Sequence, residues 1–506
     1  MDARTTWSSL QTEESAILKK NGLAASSSCF LTGIVLQQSM KGFVPTPVPI
    51  VDNMVDRLFR DIQPSRESTV LDPGCGTGAF IEGILRWCES RQAPIPRIVG
   101  VESNPRHAAV ALRKFTSSRN VTIRSEDFLQ TIPERYDFVV ANPPYVPITG
   151  LSDKEKADYR GRFEVAIERF DLYLLFFEQA LKSLKASGRL VFITPEKFMY
   201  VSTAGPLRRL LAARGVEEIR LVDEGSFPEL VTYPTITVVG QSRPDVLTKI
   251  TLRDGETVSV SLTRDGSSWL PLTSRKRFRA CQHRLQDFCR RISCGVATGA
   301  DSVFVQETSS LAPDLRRFAF PTIAGRELDL SRNVLHSRSS MLVPYLKSGK
   351  LMSEAQLGLF KNYLQRSDIR AQLIARTCVR HKPWYSFHEN PPLSDILRQK
   401  ILCKDVGAKP RFWIDWTGEI VPRHSVYYIV PQNSSVLRKL NEYLNSKYAG
   451  EWLSANCQRA ANGYLRLQSH VLKRLPIPFE LSESMSSELP EDDQRGCATQ
   501  NEVNVV

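Results

Sequence analysis

The sequence lacks the cysteine and histidine patterns that hold metal ions. Its ten cysteines include no Cys-x-x-Cys pair, and neither an His-Glu-x-x-His motif nor a Cys/His cluster at zinc-ligand spacing occurs. Cysteines scattered in this way over 506 residues are typical of reduced core thiols rather than of a disulfide framework. We therefore expect no metal site.

Long hydrophobic runs and internal repeats are also missing. No apolar stretch approaches the roughly 18 residues that a membrane-spanning helix needs. The first residues do not have the pattern of a secretory signal, because Glu13, Glu14, Lys19 and Lys20 precede the only mildly apolar stretch. These absences favour a cytoplasmic protein.

Positive charge, by contrast, is in surplus. The formal net charge is +13, although seven acids and only one base lie between Glu480 and Val506, so the rest of the chain is more basic still. A surplus of this size favours a polyanionic partner, but it also occurs in proteins that never bind nucleic acid. The acidic, serine-rich tail over 481–506 is predicted to be disordered.

Strand-like and helix-like segments alternate over the first half of the chain. Predicted strands run over Ser68–Leu71, Arg97–Val101, Val121–Arg124, Tyr136–Ala141 and Arg189–Thr194, and predicted helices over Asp52–Arg60, Ala79–Cys88 and Leu172–Leu184. This alternation predicts an α/β fold with a Rossmann-like, doubly wound, mostly parallel sheet.

The rhythm changes after about residue 245. Two hairpin signals follow, Arg253-Asp-Gly-Glu256 and Arg264-Asp-Gly-Ser267, and short strands then mix with helices. We predict a first domain over 1–270 with its core at about 42–245, and a second, mixed α+β domain over 271–480.

A glycine-rich turn joins the first predicted strand to the next helix. Gly74, Gly76 and Gly78 allow close approach of backbone to a ligand, and Glu102 ends the following strand, where it can accept hydrogen bonds from ribose hydroxyls. The spacing is Gly-x-Gly-x-Gly, so the ligand need not contain phosphate. S-adenosyl-L-methionine fits, because its ammonium suits a carboxylate such as Asp72. A glycine turn that binds nothing is the alternative.

The most specific motif is Asn142-Pro143-Pro144-Tyr145, which follows the fourth strand. An amide or exocyclic NH2 group is a poor nucleophile, so a site that methylates it should accept hydrogen bonds from both of its N–H groups. The Asn142 side-chain oxygen and the Pro143 carbonyl can do this. Pro144 fixes the turn, and the Tyr145 ring can stack on a planar base. A plain Pro-Pro turn is the alternative.

In their order along the chain, these motifs resemble those of the adenine-N6 DNA methyltransferases of restriction-modification systems, most closely the TaqI-type branch in its gamma arrangement. The segment Gly42-Phe-Val-Pro-Thr46-Pro47 resembles the methionine-contacting element that precedes the glycine loop, and Asp127-Phe128 resembles the element at the cofactor adenine. The cofactor residues that the resemblance implies are Thr46, Pro47, Asp72, Gly74, Gly76, Gly78, Glu102, Asp127, Phe128 and Phe176.

For two phenylalanines the match to the motifs of this branch is less specific. Phe176, in Asp171-Leu-Tyr-Leu-Leu-Phe176, matches an aromatic near the cofactor adenine, and Phe227, in Glu224-Gly-Ser-Phe227-Pro228, matches the ring that stacks on the second face of a flipped adenine. Each is also an ordinary core phenylalanine by its pattern. The resemblance implies that the target adenine leaves the duplex and lies between Tyr145 and Phe227.

The second half resembles the target-recognition domain of the same branch. The matching stretches are Cys294-Gly-Val-Ala-Thr-Gly299, Ala324-Gly-Arg-Glu-Leu328, and the end from Leu437 to Pro478. A basic run opens this domain, and Arg275, Lys276, Arg277 and Arg279 are candidates for contact with DNA phosphates. A solvated helix face is the alternative.

The resemblance implies double-stranded DNA as the substrate, a bacterial or archaeal monomer, and a separate restriction endonuclease as a genetic partner, since no nuclease element follows Pro244-Asp245. Three other readings remain. The same Asn-Pro-Pro-Tyr chemistry serves protein-glutamine N5 methylation in the release-factor methyltransferases, and related motifs serve RNA base methylation. A nucleic-acid-binding module without catalysis is the third.

Overall fold

The computed structural model describes residues 44–223, 225, 233–240, 247–274, 276, 278, 281–328, 335–460, 463–479 and 481–482. The chain forms two compact units. The first unit comprises residues 1–198, 203–228 and 232–246, and the second comprises 199–202, 229–231 and 247–506.

The first unit is built on a sheet with seven of its strands in the order β3-β2-β1-β4-β5-β7-β6. The strands are β1 (Thr69–Pro73), β2 (Arg97–Val101), β3 (Val121–Arg124), β4 (Tyr136–Ala141), β5 (Leu184–Pro195), β6 (Val216–Leu221) and β7 (Pro234–Val239). Strands β1 to β5 pair in parallel, whereas β7 is antiparallel to both β5 and β6. This arrangement confirms the predicted α/β class with a mostly parallel sheet.

In the described part of this unit, six α-helices accompany these strands: α1 (Val48–Leu58), α2 (Ala79–Ser90), α3 (Pro105–Lys114), α4 (Asp153–Arg162), α5 (Leu172–Lys182) and α6 (Gly205–Arg214). The central strands are apolar on both faces, and residues 138–141 of β4 and 190–193 of β5 are all buried. Continuous apolar runs of this kind are typical of parallel strands that helices cover on both sides. Among the described helices, none is long and apolar enough to cross a membrane.

Most predicted elements in this unit agree with the structure, and β2, β3 and β4 have the predicted bounds. Helix α1 begins at Val48, four residues before the predicted start at Asp52. Pro49 lies in its first turn, where proline is tolerated because the missing N–H has no helical acceptor there. Residues 48–51 are therefore helical, and the predicted start at Asp52 was wrong by one turn.

The second unit contains several small sheets. Its strands are β8 (Thr248–Thr251), β9 (Thr257–Val260), β10 (His283–Arg284), β11 (Cys289–Cys294), β12 (Val305–Glu307), β13 (Ala319–Ile323), β14 (Ser339–Leu342), β15 (Lys400–Lys404), β16 (Val406–Gly407), β17 (Phe412–Asp415), β18 (Val421–Pro422), β19 (Val426–Pro431), β20 (Gln458–Arg459), β21 (Leu465–Arg466) and β22 (Pro476–Ile477). Two four-stranded sheets have the orders β11-β19-β15-β17 and β12-β14-β13-β18.

Helices of the second unit are α7 (Asp301–Phe304), α8 (Glu354–Leu357), α9 (Leu359–Leu364), α10 (Ser367–Ile374), α11 (Leu393–Ile396), α12 (Leu437–Leu444), α13 (Lys447–Asn456) and α14 (Ser469–Lys473). Two hydrophobic clusters form its core. One includes Phe304, Phe360 and Phe387, and the other includes Leu440 and Trp452. The unit has the mixed α and β character that the sequence predicts.

Of the two hairpin signals, only the first forms a hairpin. Strands β8 and β9 pair on either side of the turn that contains Asp254 and Gly255. The second signal was wrong, because Asp265 instead accepts a hydrogen bond from the Ser267 amide at 2.8 Å, and the chain passes into a 3-10 turn at Leu270–Thr273. A local Asx turn replaces strand pairing there.

Candidate active site

A cavity of about 720 Å³ lies in the first unit, where β1, β2, β3 and β4 end. Parallel strands place their carboxyl ends at one edge of the sheet, and open α/β folds bind ligands at that edge. Of the residues that the sequence singles out, those that line the cavity are Thr46, Gly74, Gly76, Glu102, Asp127, Phe128, Asn142, Pro144 and Phe176. The structure thus brings together the segment before the glycine turn, the turn itself, the acid after β2, Asp127-Phe128, the Asn-Pro-Pro-Tyr motif and the segment that contains Phe176.

Other predicted site residues do not line this cavity. Pro47, Gly78, Pro143 and Tyr145 are each adjacent in sequence to a lining residue, whereas Asp72 is fully buried and lies two residues before Gly74. Phe227, together with Glu224, Ser226 and Pro228, lies outside the described residues, as do Gly42 and Phe43. The described part of the site therefore contains one of the two rings predicted to hold a target base.

The glycine loop owes its shape to backbone angles that favour glycine. Gly74, Gly76 and Gly78 have φ of 112°, 56° and 92°. At Gly78 a Cβ would also lie 2.3 Å from the Phe115 ring, so only glycine fits against α3. Gly78 thus has a packing reason for its identity, whereas Gly74 and Gly76 line the cavity.

The Glu102 carboxylate is fixed by two backbone amides. Its two oxygens accept hydrogen bonds from the amides of Gly76 at 2.9 Å and Asn104 at 2.7 Å. The side chain is buried, yet it lines the cavity. A carboxylate oxygen has more than one acceptor direction, so Glu102 can also accept from hydroxyl groups of a ligand.

Asp72 is fully buried, and neither of its carboxylate oxygens has a hydrogen-bond partner among the described residues. Burial, and next the charge of Glu102, raise the pKa of this carboxyl well above its usual range. An unpaired buried carboxylate is costly unless a positive or hydrogen-bonding group meets it. Asp72 therefore suits a cationic ligand group that approaches the glycine loop.

Asp127 and Phe128 follow β3. The Asp127 carboxylate accepts a hydrogen bond from the Leu129 amide at 3.0 Å, and burial raises its pKa. The Phe128 and Phe176 rings contact each other, with centroids 5.5 Å apart and planes inclined at 44°. Together they form an apolar wall that suits a planar ring system, with a carboxyl group beside it.

The Asn142 amide is oriented by the segment before α1. Its Nδ2 donates to the Val44 carbonyl at 3.2 Å and to the Thr46 hydroxyl at 3.0 Å. Its Oδ1 is buried and has no hydrogen-bond partner in the part of the chain that the structure describes. The side chain can therefore accept a hydrogen bond from a group in the cavity.

Tyr145 is held on two sides. Its hydroxyl donates to the Ile193 carbonyl at 3.3 Å, and its ring meets Tyr173 edge to face with centroids 6.3 Å apart. Burial raises the pKa of the phenol, so the hydroxyl stays protonated. These contacts fix the plane of the ring.

Sequence reasoning missed the contribution of α4. Glu155 and Tyr159 line the cavity, and the Glu155 carboxylate accepts from the Ser152 amide at 2.7 Å in a capping box. The Ser-x-x-Glu pattern signals this helix start. The helix is polar almost all round, however, so no apolar periodicity marks Tyr159 as a cavity residue.

Within the predicted DNA-phosphate cluster, Arg275, Arg277 and Arg279 lie outside the described residues. Lys276 is exposed and forms an ion pair with Glu451. Further along the chain, in β11, Arg290 and Arg291 both bind Asp395, at 2.6 and 2.5 Å. Arg290 and Arg291 therefore have a structural role in the second unit.

Two segments match family models. Residues 101–226 match the Eco57I restriction-modification methylase, and residues 343–477 match the TaqI-like C-terminal specificity domain. The first segment contains the Asn-Pro-Pro-Tyr motif, and the second covers more than half of the second unit.

Curated relatives extend over most of the chain. The Type II methyltransferase M.PaeR7I of Pseudomonas aeruginosa is 27% identical over 89% of this chain and 88% of its own length. The Type II methyltransferase M.XhoI of Xanthomonas vasicola is 26% identical over 71% of each chain.

A solved structure has the same fold. The Type IIL restriction-modification enzyme MmeI, determined in complex with DNA, matches with a TM-score of 0.58 and 14% identity, over 88% of this chain and 65% of that one. The matched segments and the relatives agree with the resemblance that the sequence motifs imply. Over most of its length the chain is therefore similar to the methyltransferases of restriction-modification systems, and residues 343–477 of its second half match the TaqI-like specificity domain.

Proposed function

We propose that this site-specific DNA methyltransferase is specific for adenine and transfers a methyl group to N6 within a short duplex sequence. The observation that carries the proposal is the Asn142 amide, whose oxygen is buried and unpaired among the described residues beside a ligand-sized cavity. The similarity to Type II DNA methyltransferases supports DNA as the substrate, and the Asn-Pro-Pro-Tyr motif supports an NH2 group as the methyl acceptor.

The cofactor is S-adenosyl-L-methionine, and the cavity residues fit it. Glu102 suits the ribose hydroxyls, and the wall of Phe128 and Phe176 suits the adenine. Asp72 does not line the cavity, but its buried carboxylate without a hydrogen-bond partner among the described residues lies next to the glycine loop in sequence and suits the ammonium. When bound, the cofactor supplies a methyl group activated by a sulfonium.

The chain's own contribution to the reaction is to align and polarise the amine. The Asn142 Oδ1 and the Pro143 carbonyl accept hydrogen bonds from the two N–H groups, which directs the nitrogen lone pair away from the ring. These bonds strengthen as positive charge develops on nitrogen. No strong base is needed before attack, because the N6 proton becomes acidic only once nitrogen carries that charge.

An adenine in a stacked duplex cannot reach this cavity, so the base leaves the helix at a cost of a few kcal/mol. The Tyr145 ring, fixed by Ile193 and Tyr173, offers one stacking face. We propose Phe227 for the other face. The second unit selects the sequence, which agrees with the TaqI-like specificity domain that it contains.

The same acceptor pair would also serve a glutamine amide in a protein or an amino group in RNA. The specificity domain favours duplex DNA over both. We further propose that the protein acts as a monomer in the bacterial or archaeal cytoplasm and that a separate endonuclease is its genetic partner.

The proposal is tested by modification-sensitive sequencing of DNA from a methylation-free bacterial host that expresses the chain, beside an Asn142→Ala control. We expect N6-methyladenine in one short motif, and none in the control. Unmodified DNA from cells that contain folded, cofactor-binding protein would contradict the proposal, and release factors and RNA would then be assayed. Methylation at cytosine N4 would support DNA as the substrate but refute adenine as the target base.

A further inference from the structure

The contacts of the Asn142 amide determine which way it points. The Val44 carbonyl can only accept a hydrogen bond, so the atom 3.2 Å from it must be Nδ2 and not Oδ1. The second Nδ2 contact, to the Thr46 hydroxyl at 3.0 Å, uses the other amide hydrogen. Both donors are thereby engaged, and only the oxygen remains for a target amine.

Thr46 is well placed for this task. It lies 96 residues before Asn142 and two residues before α1, between Pro45 and Pro47, whose rings restrict the backbone. Because its hydroxyl accepts from Asn142, the hydroxyl proton is left to donate elsewhere, and Thr46 lines the cavity.

We propose that Thr46 is a positioning residue for the methyl transfer: it holds the Asn142 amide with its oxygen toward the target amine. The inference rests on the proposed function. It gives Thr46 a second role, in addition to the cofactor contact that the sequence predicts. When the Thr46 proton is donated to an anionic cofactor group, the hydroxyl becomes a better acceptor for Asn142, so cofactor binding and amide orientation reinforce each other.

The test uses Thr46→Val, which has nearly the same shape but no hydroxyl, and Thr46→Ser, which keeps the hydroxyl. With saturating cofactor and DNA, we expect Thr46→Val to lower kcat about 10- to 100-fold, and Thr46→Ser to stay within about threefold of the natural chain.

A role confined to cofactor binding would look different. Thr46→Val would then raise the cofactor Kd and KM but leave kcat at saturation unchanged, and that result overturns the inference. If Thr46→Val does not fold, Thr46→Ala and Thr46→Ser are compared in its place, and equal kcat values for these two would also overturn it. An inactive natural chain on DNA would instead refute the proposed function.

The second unit contains a separate cavity of about 730 Å³, lined by residues of α13, by Thr273, Ser274 and Lys276, and by residues 409–410. Four basic residues line it, namely Lys276, Lys409, Lys447 and Arg459. Among the lining residues that the structure describes, Glu451 is the one acid, and it is already paired with Lys276. Lys409 and Lys447 are exposed, and neither has a hydrogen-bond or ion-pair partner among the described residues.

The walls of this cavity are held by side chains of the segment that joins α12 to α13. The Asn445 side chain accepts from the Phe412 amide at 3.1 Å and donates to the Phe412 carbonyl at 3.0 Å, as a neighbouring strand would. The Ser446 hydroxyl accepts from the Ala449 amide at 3.3 Å and so caps α13. A Cβ on Gly450 would meet nothing within 4 Å, so the cavity is open along the helix.

We propose that this cavity binds phosphodiester groups of the substrate DNA, with Lys409 and Lys447 as the principal cations. This inference also rests on the proposed function, and it is carried by the cavity and its unpaired cations rather than by the catalytic motif. Phosphate contacts of this kind contribute affinity but no sequence information.

The test compares the double variant Lys409→Gln/Lys447→Gln with the control Lys347→Gln/Lys350→Gln, which removes two exposed lysines elsewhere in the second unit. Duplex affinity is measured from 50 to 300 mM salt. We expect the first variant alone to reduce the slope of log K against log salt by about 0.9 for each phosphate contact that is lost, and the methylated motif to remain the same.

Equal slopes for the two variants would overturn the inference. A second result would also overturn it: the natural chain binds inorganic phosphate, Lys409→Gln/Lys447→Gln does not, and the two have the same DNA affinity. The cavity would then be a site for small anions. A natural chain that binds no DNA at all would refute the proposed function and not only this surface.

Discussion

The amide of Gly76 donates to the carboxylate of Glu102 at 2.9 Å, so the glycine loop after β1 and the acid after β2 form one structural unit. The second carboxylate oxygen accepts from the Asn104 amide just before α3. A ligand that hydrogen-bonds Glu102 therefore meets an acceptor whose position is already fixed, and little conformational entropy is lost on binding.

Replacing Glu102 should weaken cofactor binding. Glu102→Gln replaces an acceptor oxygen with an NH2 group that faces either the Gly76 or the Asn104 amide, so one of those two hydrogen bonds becomes a repulsion. We expect the cofactor Kd to rise about 10- to 100-fold, as for loss of a charged hydrogen-bond acceptor. Isothermal titration calorimetry measures it, with Glu126→Gln at the cavity rim as the control. Equal Kd values for the two variants would contradict this role.

The Tyr145 ring and its hydroxyl should contribute unequally. The hydroxyl only anchors the ring to Ile193, whereas stacking on a base depends on the ring itself. Tyr145→Phe should keep kcat within about threefold, and Tyr145→Ala should lose about 10- to 100-fold, since base stacking is worth roughly 1–3 kcal/mol. A methylation assay at saturating cofactor measures both. Similar losses in the two variants would indicate that the hydroxyl, and not the stacking face, matters.

Much of the first unit follows from the sequence. Strands β2, β3 and β4 are short β-branched or aromatic runs, and the rule that ligands bind at the carboxyl edge brings their terminal residues together. The role of Gly78 did not follow, because its neighbour Phe115 lies 37 residues away in sequence. Nor did the pairing of Arg290 and Arg291 with Asp395, which depends on tertiary folding of the second unit.

Gly78 should resist substitution for two separable reasons, a positive φ and a close contact. Its φ of 92° resembles the 84° of Gly255, but a Cβ at Gly255 would meet nothing within 4 Å. We expect Gly255→Ala to cost about 1 kcal/mol of unfolding free energy and Gly78→Ala about 2–4 kcal/mol. Denaturant titration measures both. Phe115→Leu should restore part of the loss at Gly78, and no restoration would argue against the contact.

Asp72 should make stability depend on pH. Because its folded-state pKa is raised, the ionised carboxylate destabilises the fold above that pKa, and this penalty disappears below the unfolded pKa of about 3.9. Asp72→Asn should therefore raise the melting temperature of the cofactor-free protein by a few degrees at pH 7 to 8, and by less as the pH falls.

The same substitution should weaken cofactor binding, since a neutral amide cannot balance an ammonium. Differential scanning calorimetry from pH 5 to 8, with and without S-adenosyl-L-methionine, measures both effects. A variant that is less stable than the natural chain at pH 8 would contradict the unpaired state of this carboxylate.

The second unit contains a buried ion pair, and loss of that pair should destabilise the unit. The Lys400 ammonium binds the Asp415 carboxylate at 2.5 Å, and both side chains are almost fully buried. Asp415 also accepts from the amides of Gly418 and Ile420. Lys400→Met would leave this carboxylate buried without its cation, at a cost of about 3–5 kcal/mol. Lys400→Met should therefore speed proteolysis of the specificity domain and lower DNA affinity, while cofactor binding in the first unit should stay unchanged.

The exposed pair of Arg366 and Asp368 is the control, because breaking it should cost under about 1 kcal/mol. If Lys400→Met were as mild as Arg366→Met, the pair would contribute nothing that a surface pair does not.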